Sequence, residues 1–324
     1  MIRQVVFILF STTSLAAGSG QAPKSATLPP ADIAFARLTA DAVVTVPLGP
    51  GAVESTDAIW VPNRAAGTIV RIDAEANTAA TPVMAGADPC GSLVAAFESV
   101  WVPLCGTGTF ARLDPKTSKV TATFNMTLAS GDGRIATGIG SIWAITDPKG
   151  VLSRIDPATN AVVAEIYVAG GAHSVVYGDE ALWITSEAGN VVTRVNPHNN
   201  QVVEAIEVGP RPGRLALGEG AVWTLNRGNG TVTRVDPATN KVVATIAVGE
   251  GAATGEIAAG LGSVWISAAG APLTRIDPRN NRAVQRFSGT GGGAIVVAHG
   301  SLWVAAGPLV TWRIDPLLVT AIRP

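Results

Sequence analysis

The stretch "GAVWTLNRGNGTVTRVDPATNKVVATIAVG", residues 220–249, carries a tryptophan, an arginine and an Asp-Pro turn, and each of the three recurs along the chain. Aligned on the tryptophan, the copies fall at Trp60, Trp101, Trp143, Trp183, Trp223, Trp265 and Trp303, at steps of 41, 42, 40, 40, 42 and 38 residues. A period near 40 marks a repeat architecture. Around eleven residues after each tryptophan stands an arginine: Arg71, Arg112, Arg154, Arg194, Arg234, Arg275 and Arg313. One copy contains four short β-prone runs, "GRLAL", "AVWTL", "TVTRV" and "VVATIAV", separated by Gly-rich or Asp-Pro turns. The turn "DPATN" at 236–240 has near-copies at Asp114-Pro115, Asp156-Pro157, Asn196-Pro197, Asp277-Pro278 and Asp315-Pro316. There the Asp or Asn accepts from turn amides and proline presets φ, which is turn chemistry and not acid catalysis.

A lone four-stranded sheet cannot bury both faces, whereas sheets stacked around an axis can. The expected fold is therefore all-β: a seven-bladed β-propeller of four-stranded antiparallel blades over residues 42–324. The segment "AVVTVPLG" at 42–49 matches the fourth run of the repeat and is expected to complete the last blade and close the ring. "VTAI" at 319–322 competes for that slot.

Outside the repeat, residues 1–17 have the layout of a secretory signal: Arg3, an apolar run, then small residues up to Ala16 and Ala17. The apolar run is shorter than the roughly 20 residues a membrane helix needs, so no membrane span is expected after cleavage. Residues 18–41 contain "SGQAPKSATLPPAD" and read as a linker. Export to the periplasm or the extracellular space follows, with a monomeric chain. A formal net charge of −1 offers no basic field for phosphates, so nucleic acid is not an expected partner.

Propeller topology puts the fourth-to-first and second-to-third loops on one face and the remaining turns on the other. The first face carries the variable loops, among them "MAGADPCG", "TLASGDGR", "VAGGAH", "VGPRPGR" and "VGEGAATGE", and recognition is expected there. Nine residues before each tryptophan stand Gly51, Ser92, Arg134, Ser174, Arg214, Glu256 and Ala294, which would ring the channel mouth. Arg134, Arg214 and Glu256, with His173 beside them, form the one convergent charged cluster the pattern yields. Two arginines can clamp a carboxylate or phosphate, or the group can be a set of solvated rim charges. Arg64, Glu187, Asn226 and Arg227 lie in second-to-third loops and would extend the cluster into a polar funnel.

The other two histidines, His198 and His299, fall in turns of the opposite face, so no three-histidine metal site is expected and no cofactor is assigned. No Cys/His zinc spacing or GxSxG nucleophile elbow occurs. The ligand is expected to be a small molecule, a peptide or a protein partner of undefined identity. Pairing Ala96 with Ser99 across the inner hairpin of the second blade and continuing the register sets Cys90 opposite Cys105. A disulfide is expected there, against the objection that Pro103 interrupts the ladder.

From about residue 43 to 324 the chain resembles the YVTN-type, YncE-like propellers, through repeats such as "SRIDPATNAVVAEIYVAGG" and "TRVDPATNKVVATIAVG". It also resembles the streptogramin B (virginiamycin B) lyases, seven-bladed propellers that open a cyclic depsipeptide by metal-assisted elimination. That resemblance implies a carbon-oxygen lyase with Mg, histidines and glutamates on one face, including a Glu three positions after the tryptophan. Here those positions are Asn63, Leu104, Thr146, Ser186, Asn226, Ala268 and Ala306. His173, Glu187 and Glu256 are then the nearest substitutes for the catalytic groups.

Overall fold

A computed structural model describes residues 30–47, 49–55 and 57–323. The expected signal segment lies outside the described residues, as does most of the linker. The four runs of the repeat are the four strands of one blade. In the fifth copy they are Pro212–Gly218, Ala221–Asn226, Thr231–Asp236 and Lys241–Ala247, hydrogen-bonded in that order from the channel outward, all antiparallel. Six further sheets repeat the pattern. Each inner strand neighbours the next around the axis, and the seventh, Ile295–Ala298, neighbours the first, Val53–Glu54, so the ring is closed.

The tryptophan explains why the blades stack. All seven repeat indoles are fully buried. Each packs into the blade that follows: Trp101 against Ile142, Ala144 and Ile155, and Trp223 against Val264, Ile266 and Ile276. Trp303 closes the circle against Ile59, Val61 and Ile72 of the first blade. In six of the seven copies the indole N–H, which cannot be left unpaired in a core, donates to a carbonyl five residues earlier, as Trp143 Nε1 does to Gly138 at 2.9 Å. Trp60 uses the Ser55 hydroxyl instead.

The repeat arginine has a second task, which spacing alone does not reveal. Arg194 lies 5.3 Å over the ring of Trp183 and reaches into the next blade, donating to the Pro237 carbonyl at 3.0 Å and to Asn240 Oδ1 at 2.8 Å. Arg112, Arg154, Arg234 and Arg313 make the same clamp. Where the next turn lacks the asparagine the clamp is missing. Ser118 replaces it in the second blade, and Arg71 pairs with Asp57 at 2.7 Å. In the seventh blade the Asp315-Pro316 turn opens a short helix, Pro316–Ala321, and Arg275 turns back to Gln285 at 2.9 Å.

Ring closure uses the N-terminal strand. Ala42–Val44 pairs antiparallel with Val310–Ile314 as the outer strand of the seventh blade, and residues 319–321 of the competing "VTAI" belong to the helix. The end of the expected linker is also structured. Asp32–Ala34 pairs in parallel with Arg282–Ser288 as a fifth strand of the sixth blade, and Ile33, Phe35 and Leu38 are buried. The Phe35 ring stacks on Trp312, the one tryptophan outside the repeat, with centroids 4.9 Å apart. Apolar residues among the prolines drive this docking, which a composition-based linker assignment passes over.

Candidate functional site

Cys90 and Cys105 are disulfide-bonded, with Cα atoms 5.8 Å apart. The expected register holds from Ala96–Ser99 to Val94–Trp101, then slips, so that Pro89 faces Leu104 and the Cys90 N–H donates to Pro103. Pro103 lacks the N–H a continuous ladder needs, and the bridge therefore joins a diagonal pair. It pins the loop of Gly91 and Ser92 at the rim of the channel, where the Gly91 N–H donates to Gly131 at 2.8 Å.

Around that rim the structure gathers Arg134, His173, Arg214 and Glu256 into one network, in which His173, Arg214 and Glu256 are buried and Arg134 is partly exposed. Glu256 is 2% exposed and takes both arginines: Arg134 Nη2 donates to its Oε2, and Arg214 Nε lies 2.8 Å from its Oε1. That second contact is a charge pairing and not an aligned hydrogen bond. Arg214 is 5% exposed, and burial pushes its guanidinium below its usual value against the opposing pull of Glu256. An arginine keeps its charge even so. Of the rim charges, Arg214 and Glu256 are paired and buried, and Arg134 is paired but keeps solvent access.

The centre of the network is a residue the tryptophan spacing does not select. Asp132, in the loop between the second and third blades, accepts from His173 Nε2 at 2.8 Å and from Arg227 Nη2 at 3.1 Å. Arg214 reaches its side chain at 3.5 Å and also donates to its backbone carbonyl. The His173 bond holds the Asp132 carboxyl far below its ordinary value, with Ser130 and Arg214 adding to the effect and burial opposing it. Its only signal in the sequence is an acid between two glycines, in "SGDGR", two positions before Arg134. Glu187 is held by Arg227 at 2.9 Å and Arg211 at 3.7 Å, and lies 4.0 Å from His173 Nε2.

The funnel residues divide. Arg227 and Glu187 join the network. Arg64 borders it: half-exposed, it holds Asp88 through two bonds of 2.8 and 3.0 Å and donates to Gly131 at 3.2 Å. Asn226 does not line the funnel. It is fully buried, with its amide donating to Thr231 and Thr233 at 2.9 and 2.8 Å across the blade, and so serves packing. His198 and His299 lie outside the network, His299 being paired with Glu54 at 3.8 Å.

Between Arg64, Ser92, Arg134, Arg214 and Glu256 lies a cavity of about 60 Å³. At roughly 10–15 Å³ per water-sized sphere it has room for a carboxylate or a small oxyanion. Three guanidiniums, of Arg64, Arg134 and Arg214, and two carboxylates, of Asp132 and Glu256, line it, while Arg211 and Arg227 hold Glu187 beside it, so the lining carries one more positive than negative charge and favours an added anion. It is poorly suited to Mg. Every one of those carboxylates is already held by at least one guanidinium, and among the described residues no group of three His, Cys, Asp or Glu side chains is arranged to hold a metal. Nor does His173 offer a free base: Gly213 O lies 3.0 Å from its Nδ1 and Asp132 Oδ1 2.8 Å from its Nε2.

These features define a seven-bladed β-propeller with a charged network at one mouth of its channel. Among solved structures, the chain is similar in fold to a streptogramin B lyase, with TM-score 0.69 and 19% identity over 82% of this chain and 92% of that one. Virginiamycin B lyase from Staphylococcus aureus gives TM-score 0.68 and 17% identity over 84% and 95%; a catalytically inactive variant of that enzyme with quinupristin gives 0.69. BamB from Moraxella catarrhalis gives TM-score 0.59 and 12% identity over 84% of each chain. At these identities the likeness is one of fold. No family model matches the chain, and no curated protein matches it in sequence.

Proposed function

We propose that the chain is an exported propeller that binds an anionic group of a small ligand, peptide or protein partner at its variable-loop face. The observation that supports this most directly is the cavity at the channel mouth, lined by three arginines against two carboxylates. Export draws on the signal-like residues 1–17 and agrees with a disulfide, which persists in oxidising compartments. No helix of the described residues is long and apolar enough to cross a membrane.

Inorganic phosphate is the probe for this site, read as a rise in Tm, because a ligand that binds only the folded form stabilises it. Arg64→Ala removes a half-exposed cation from the rim without opening the buried network and should reduce the response. Arg134→Ala together with Arg214→Ala should abolish it. A phosphate response that survives all three substitutions would discard the reading.

The lyase reading draws on likeness of fold alone. In the network each carboxylate already holds a guanidinium and both ring nitrogens of His173 have partners, which favours binding over elimination. Mg-dependent opening of a cyclic depsipeptide by the purified chain would reverse that conclusion.

A further inference from the structure

The cavity at the channel mouth has two unlike walls. Arg64, Arg134 and Arg214 supply one, together with the carboxylates of Asp132 and Glu256. Pro50, Gly51, Gly91 and Ser92 supply the other. On that second wall proline has no N–H, the amides of Gly91 and Ser92 are spent on the carbonyls of Gly131 and Gly133, and the Ser92 hydroxyl accepts from the Ile135 N–H at 2.9 Å. A Cβ at Gly51 or Gly91 would run into a carbonyl of the next blade, so the wall is bare backbone held close. It offers few donors to a ligand oxygen and a carbon surface to a ligand methyl or methylene.

The charge around the cavity is fixed and small. Three guanidiniums against two carboxylates leave the lining an excess of one positive charge. Following each group to its partners leaves the excess unchanged: Arg64 also holds Asp88, and Arg211 and Arg227 hold Glu187, so five guanidiniums face four carboxylates. Arg214 and Glu256 are buried, so water screens the site poorly. Desolvation of an ion grows with the square of its charge, whereas its attraction to a fixed excess grows only in proportion. A monoanion cancels the excess. A dianion replaces it with a net negative charge beside Asp132 and Glu256.

We propose that this cavity selects monoanions, so that the group it takes is a carboxylate, with its carbon end against the glycine wall, and not a phosphate or sulfate dianion. This selectivity rests on the anion-binding reading of the same site and narrows it. At neutral pH phosphate is a mixture of monoanion and dianion, and it reports on the site through the former.

Calorimetric titration of the full chain with acetate, acetamide and sulfate at constant ionic strength tests it. Heat of binding is the readout because sulfate stabilises folded proteins by exclusion from their surface, whatever it binds. Titration at about pH 8, on the neutral side of an ordinary imidazole, limits any charge from His173. Acetate should bind, and acetamide, its uncharged counterpart, at least about tenfold more weakly. Sulfate should also bind at least about tenfold more weakly than acetate. Asp88→Asn, at a side chain that is 38% exposed, raises the excess to two and should move the acetate-to-sulfate ratio about threefold or more toward sulfate. Arg211→Gln, at a side chain that is 65% exposed, lowers the excess to zero and should move the ratio the other way. Sulfate binding as tightly as acetate, or a ratio that neither substitution moves, would overturn the selectivity and leave the anion site standing. Acetate no tighter than acetamide would overturn it too, and the absence of a phosphate response besides would remove the anion site itself.

Discussion

At the scale of single residues, the offset from the tryptophan makes Arg134, Arg214, Glu256 and His173 legible, because the repeat fixes where an inner strand begins. Asp132, which ties them together, lies one loop earlier, where the copies differ in length and no offset applies. Asn226 escapes the same offset for a related reason: its position in the repeat is correct, but two threonines on the neighbouring strand turn its amide into the sheet. Asp132→Asn should cost about 1–2 kcal/mol at neutral pH, since the lost charged hydrogen bonds are discounted for a side chain that is 43% exposed. The sign with pH follows from the depressed folded value. The stabilisation is complete above the ordinary carboxyl value of 3.8 and disappears as pH falls below it, through the lower folded value. Urea unfolding from about pH 6 downward should show wild type and variant converging only under strongly acidic conditions.

The clamp asparagines allow a sharper residue-level comparison. Asn240 has φ of 58°, a left-handed conformation, and its side chain takes the Arg194 guanidinium. Asn240→Gly keeps the backbone at ease and loses the side-chain bonds, the buried one from Arg194 and an exposed one to Glu204 at 2.9 Å, about 1.5–3 kcal/mol. Asn240→Ala loses the bond and adds a backbone penalty of about 1–2 kcal/mol. Chemical denaturation should rank the three in that order, and equal stability of the Gly and Ala variants would show that backbone strain contributes nothing at the turn.

Among elements, the strands are legible wherever the Asp-Pro turn and the tryptophan bracket them, and less so where proline interrupts a ladder. The second blade shows the consequence: its inner register slips between Val94 and Pro89, yet Cys90 and Cys105 still meet. A bridge across 15 residues restricts the unfolded chain by about 3 kcal/mol. Replacing both cysteines by alanine should lower stability by that order under oxidising conditions and leave the variant insensitive to reductant. Because the bridge also holds the Gly91–Gly131 contact, the variant should respond more weakly to phosphate than its stability loss alone predicts. An unchanged phosphate affinity would confine the disulfide to stability.

For the whole molecule, seven indoles, each buried in the following blade, make the ring cooperative, and that is legible because the period is the fold. What the period does not decide is which end of the chain closes it. Ala42–Val44 covers the outer edge of Val310–Ile314, Val44 and Val46 are buried, and the Thr311 hydroxyl donates to the Val46 carbonyl at 2.7 Å. The preceding segment, through Leu38, pairs with the outer strand of the sixth blade and packs on the seventh, with Phe35 stacked on Trp312, but it is not the strand that covers the last blade's edge. Two truncations separate these roles. Removing residues 1–38 strips Ile33, Phe35 and Leu38 from the surface of a ring that remains shut, so a folded monomer of reduced Tm is expected. Removing residues 1–46 exposes the last blade's edge strand and unpairs its backbone, which invites edge-to-edge association. Size-exclusion chromatography should show the longer truncation as aggregate or oligomer. A monomeric, cooperatively unfolding product would mean that the inner and middle strands of the seventh blade, held by Trp303 against the first, are enough to keep the ring closed.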